Sequence, residues 1–75
     1  MTPAQCRAAR ALVGKEQGEI ARLAGVARAT LIDFEKGQRL PHDKTVCAIR
    51  AALESAGVVF LPENGNGPGV ALRKA

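Results

Sequence analysis

Aromatic residues are nearly missing from this chain. Among its 75 residues there is no Trp and no Tyr, and Phe34 and Phe60 are the two rings. The core must therefore come from Ala, Val, Leu and Ile. A chain this short buries a smaller share of its surface than a large domain does, so a second copy would help by adding apolar burial. Histidine is as scarce: His42 stands alone, and no Ser-His-Asp or Cys-His arrangement is framed around it. Cys6 and Cys47 form no CxxC pair and have no nearby His, so no metal motif is present; both read as small buried thiols. No apolar run approaches the roughly 20 residues of a membrane span. No charged-then-apolar leader opens the chain, because Arg7 and Arg10 fall inside a helical pattern. The Gly-rich stretch 64–69 lacks the lysine and following helix of a phosphate-cradling loop and reads as a turn. These absences lead us to expect a single cytoplasmic domain with no enzymatic activity, cofactor, metal or membrane partner.

What the chain does have is positive charge. Eleven Lys and Arg stand against seven Asp and Glu, a net charge of +4. Such a balance favours polyanionic partners, nucleic acid first among them.

Four helical patterns follow one another. Thr2-Pro3-Ala4-Gln5 opens the first: Thr2 caps it, Pro3 suits its first position and Gln5 completes a capping box. Ala4, Ala8 and Leu12, flanked by Ala9 and Val13, give it an apolar stripe, and Gly14 ends it. The second runs from about Glu16 to Ala24, burying Ile20, Ala21, Leu23 and Ala24, and Gly25 breaks it. The third runs from about Arg28 to Lys36, with Leu31 and Phe34 inward and Gly37 as its stop. The fourth starts near His42 or Asp43 and carries Val46, Ile49, Leu53 and Ala56 on one face until Gly57. His42 is placed to cap it or to lie on the surface.

The last eighteen residues change character. Val58-Val59-Phe60-Leu61 is β-branched and aromatic and reads as a strand. Residues 62–69 are loop material, and Val70-Ala71-Leu72 returns as a second strand before Arg73 and Lys74. A lone hairpin is marginal in water, so these strands should pack on the helices or pair with a second subunit. Val58, Val59, Phe60, Leu61, Val70 and Leu72 are the candidate dimerisation residues. The expected organisation is a helical unit over residues 1–57 and a β extension over 58–75.

Within the helical unit, residues 17–41 set two short helices around an Ala-Gly-Val-Ala turn. Gly25 supplies the turn and Ala21 the small residue where the helices cross. Ile20, Val26, Leu31 and Phe34 would lock the pair, leaving the outward face of the third helix free. This is the layout of a helix-turn-helix, with the motif at about 16–36. Through Gln17, Ala21, Gly25, Val26, Thr30, Leu31, Phe34, Glu35 and Gly37, residues 4–57 resemble the Cro and lambda-repressor type of regulator, also called the xenobiotic-response-element family. The tail resembles that of short bacterial members in which strands replace the usual fifth helix.

The resemblance implies a mainly α fold, a four-to-five-helix lambda-repressor-like domain with a C-terminal hairpin extension. It also implies a transcriptional regulator, a repressor or an activator, that binds double-stranded DNA at the nucleoid. As a homodimer, it would read a palindromic operator with two recognition helices about one helical turn apart. Gln17 would touch a phosphate and brace the start of the third helix. Arg28, Ala29, Thr30 and Asp33 hold the outward positions. Arg28 can pair with guanine O6 and N7, or remain a solvated first-turn residue. Thr30 suits a phosphate or a thymine methyl. Asp33 can accept from cytosine N4, or pair on the surface with Arg28, Lys36 or Arg39. Lys36, Gln38 and Arg39 would grip the backbone without reading sequence. Glu35 belongs to an internal salt bridge, with Arg10 or Arg22 as partner. Ala27 stands where the family places a Ser or Thr cap. A second reading uses the same fold for protein contact, as an antitoxin binding a toxin or as an antiactivator masking a regulator.

Overall fold

In the computed structural model, which describes residues 1–38 and 41–74, helices α1 (Pro3–Val13), α2 (Gln17–Ala24), α3 (Arg28–Lys36) and α4 (Asp43–Ser55) precede strands β1 (Val58–Leu61) and β2 (Gly69–Leu72). The α1 capping box forms as the Thr-x-x-Gln pattern predicts. Thr2 Oγ1 accepts from the Gln5 amide at 3.0 Å, and Gln5 Oε1 accepts from the Thr2 amide at 2.8 Å. The turn between α2 and α3 rests on Gly25, whose φ of 71° is left-handed and costs a residue without Cβ little. There the Val26 amide reaches back to the Ala21 carbonyl and the Gly25 amide to that of Arg22. These paired bonds are the Schellman closure of a helix end. α1 and α3 close the same way. At α4 the His42 imidazole caps the helix, its Nδ1 accepting from the Lys44 amide at 3.3 Å.

The core is small and aliphatic. Cys6 and Ala9 of α1, Ile20 and Ala21 of α2, Leu31 and Phe34 of α3, and Ile49, Ala52 and Leu53 of α4 form it together with Val58 of β1. Three expectations are corrected here. The inward stripe of α1 is Gln5, Cys6 and Ala9, with Val13 packed against it; Ala4, Ala8 and Leu12 are exposed. Leu23 is 60% exposed, because α2 turns Ile20 and Ala21 inward. Cys47 is exposed rather than buried: it lies one residue, about 100° of helix, past the half-buried Val46.

The two strands pair with each other, antiparallel, with Val58 opposite Leu72 and Leu61 opposite Gly69. The hairpin is tied down at several points. Gln5 Nε2 donates to the Gly69 carbonyl at 3.0 Å. Arg73 donates from its amide to the Gly57 carbonyl and from Nη2 to the Glu54 carbonyl. The Arg50 guanidinium stacks 4.9 Å above the Phe60 ring. In the connecting loop, Glu63 Oε1 accepts from the Gly65 and Gly67 amides, and these backbone bonds, that of Gly67 first, hold its carboxyl below the usual carboxylate range.

Candidate nucleic-acid interface

The orientation of α3 is set by one carboxylate. Glu35, in its last turn, is 2% exposed. Arg10 of α1 pairs with it in bidentate fashion, Nε donating to Oε2 at 2.6 Å and Nη2 to Oε1 at 2.7 Å. Gln17 of α2 donates to Oε1 at 2.9 Å, and the Cys6 thiol donates to Oε2 at 3.1 Å. Arg7 adds a bond to the Glu35 carbonyl, one of those a helix end leaves unpaired. Burial pushes the Glu35 carboxyl up, but the donors from Arg10, Cys6 and Gln17 outweigh it and hold the group below its ordinary range. The same burial, with Glu35 beside it, pushes the Cys6 thiol well up and keeps it protonated.

Of the two partners expected for Glu35, Arg10 is the one that pairs. Gln17, expected to brace the start of α3, is bonded to its last turn instead. Cys6 and Arg7 were not foreseen as donors, because nothing in their local pattern aims them at a residue almost thirty positions away.

With Leu31, Phe34 and Glu35 held inward, the opposite face of α3 is set by helical spacing. Ala29, Ile32, Asp33 and Lys36 stand at i, i+3, i+4 and i+7 and share one side. Ala29 and Lys36 are exposed, and Ile32 and Asp33 are half-exposed. Asp33 makes no ion pair with Arg28 or Lys36. Thr30 is half-buried on the flank. Gln38 is exposed just past the helix, and Arg39 lies outside the described residues. Ile32 escaped notice in the sequence, although its spacing from Ala29 and Lys36 was the signal that finds it.

Arg28 lies elsewhere. Its Cδ and Nε stand 3.8 Å from where a Cβ on Gly18 would be, so the Arg28 stem runs beside the first turn of α2. There it lines an open recess with Arg10, Lys15 and Gln17. Glu16, the N-cap of α2, lines it too, so three cations face one carboxylate at a helix N-terminus, where amides and dipole favour an anion. Lys15, also unforeseen, belongs to it through the turn that follows Gly14.

The hairpin divides the six candidate dimerisation residues. Val58 is buried in the chain's own core and is corrected to a structural position, while Phe60 and Val70 pack against that core half-buried. Val59, Leu61 and Leu72 remain exposed, Leu61 at 42% and Leu72 at 53%. Among the described residues no group of His, Cys, Asp and Glu could hold a metal ion, and no helix is long and apolar enough to cross a membrane.

No curated protein matches the chain. A family model described as helix-turn-helix matches residues 7–56, two thirds of the sequence, from the middle of α1's first turns to just past α4. The matched span contains Glu35 with its partners Arg10 and Gln17, the Gly25 turn and the outward face of α3, and the chain therefore belongs to the helix-turn-helix family of Cro and lambda-repressor type, the DNA-binding transcription regulators.

Proposed function

We propose that this regulator binds a specific palindromic operator as a homodimer, with α3 in the major groove. One observation carries the reading. Every large buried contact of α3 lies on one side, through Leu31, Phe34 and Glu35, while Ala29, Ile32, Asp33 and Lys36 are left together on the other. A helix anchored on one face and open on the other suits groove entry. Asp33 accepts from cytosine N4, a contact that discriminates among bases. Lys36, with Gln38 beyond it, reaches the backbone at the helix end.

The role first given to Arg28 is revised accordingly, while Gln17 keeps its phosphate contact. Arg28, with its stem along Gly18, joins Lys15 and Gln17 in gripping a phosphate at the start of α2. Such contacts position the protein without reading sequence.

Substitution separates the two sets. Duplexes enriched from a random pool define the preferred site. Arg28→Ala and Lys15→Ala should each weaken binding to all duplexes alike and reduce the salt slope by about 1. Asp33→Ala should relax preference at one base pair, worth about 1–3 kcal/mol. A loss of preference confined to one position in Arg28→Ala would return that residue to base reading.

The dimer is proposed on the hairpin. None of its eight strand residues is polar. By register, Val59, Leu61 and Ala71 share the face turned away from Val58. A solvated sheet face ordinarily alternates with polar residues. A second copy of the chain covers this one, and two joined copies bring two recognition helices to one palindrome.

A further inference from the structure

We infer that Ile32 is a specificity-determining residue that reads the C5-methyl group of a thymine, an inference that rests on the proposal that α3 enters the major groove.

The half-buried Val13, Val26, Val46, Phe60 and Val70 all pack against the core; Ile32, equally half-buried, stands outside that set. It is a β-branched hydrocarbon placed on the face of a helix that turns away from its own domain. Its companions there leave it room: Ala29, one turn earlier, ends at Cβ, and Asp33 and Lys36 carry their charge at the ends of their side chains. Packing does not explain an isoleucine at this position, since Leu31 and Phe34 already fill the inward side of α3.

The major groove offers one apolar group that projects into it, the thymine methyl, and the other groups that distinguish the base pairs there are hydrogen-bond donors and acceptors. A side chain that can neither donate nor accept distinguishes base pairs there through that methyl alone. The small Ala29 lets the helix approach closely enough for Ile32 to make the contact. Adenine opposite the thymine is then selected by pairing, with no polar side chain required.

Single uracil-for-thymine replacements in the enriched duplex test this, since each removes one methyl group and leaves every hydrogen bond. With the wild-type protein, one position per half-site should lose binding by about fourfold, the effect of one buried methyl-sized group. Ile32→Ala should bind thymine and uracil equally at that position while keeping its preference elsewhere. Because Ile32 lies off the core, its melting temperature should match the wild type, which separates a reading effect from misfolding. Uracil tolerated at every position overturns the assignment and leaves sequence-specific binding standing; so does an unchanged methyl effect in Ile32→Ala. Failure of the pool to enrich any sequence overturns both this inference and the proposed function beneath it.

Discussion

Glu35 collects donors from Cys6, Arg10 and Gln17 on one carboxylate, and so couples the first two helices to the recognition helix. Its pH dependence follows from the depressed carboxyl. A group whose folded-state value lies below its unfolded value stabilises the fold fully above the unfolded value, here near 4.5. That stabilisation is lost as pH falls through the folded value. Thermal melts between neutral pH and pH 3 should show the wild type weakening below about 4.5, with Glu35→Gln giving a lower melting temperature at neutral pH and a flatter acid limb. Equal acid limbs would contradict the role given to this carboxylate. At this scale the sequence was partly readable. Glu35 and its pairing with Arg10 followed from the family resemblance, since Arg10 was one of two partners in view. The thiol of Cys6 and the stem of Arg28 were not legible. Which way a side chain runs depends on the crossing of α1, α2 and α3, which no local pattern encodes.

Helix boundaries were the most legible feature, because each is written in a few adjacent residues. Thr2 with Gln5, Gly14, Gly25, Gly37 and His42 mark starts and stops through bonds made within one turn. The inward face of α1 was misread for the opposite reason: an Ala-rich helix offers little hydrophobic contrast. Gln5 is drawn inward because its amide serves both Thr2 and Gly69. The start of α3 carries a correctable weakness. Ala27 already has the extended backbone of an N-cap, at φ −67° and ψ 142°, but no side-chain bond. Ala27→Ser should add about 1 kcal/mol and raise the melting temperature by about 4–8 °C; an unchanged or lower value would show that the first turn of α3 is already satisfied. The hairpin was legible as two strands, but its inward residues were not separable from its outward ones, because both faces are apolar. Leu61→Asp, on the exposed outward face, should convert the proposed dimer to a monomer in sedimentation while leaving the fold intact. Deleting residues 58–75 is a poorer experiment, since it removes Val58 from the core. A persistent dimer in Leu61→Asp would place the interface elsewhere.

For the whole molecule, a core without Trp or Tyr holds a net charge of +4 on a frame that leaves one helix face open. The positive balance alone supplies attraction to any nucleic acid, and it falls steeply with salt. Specificity needs more: a rigidly oriented α3 and base contacts from Asp33 and Ile32. The most direct test of the account is therefore the ratio of affinities for the enriched duplex and for random duplexes of equal length, measured at about 150 mM salt. The account expects the enriched duplex to bind at least about a thousandfold more tightly. Equal, weak and strongly salt-dependent binding to both would contradict it, leaving charge without reading.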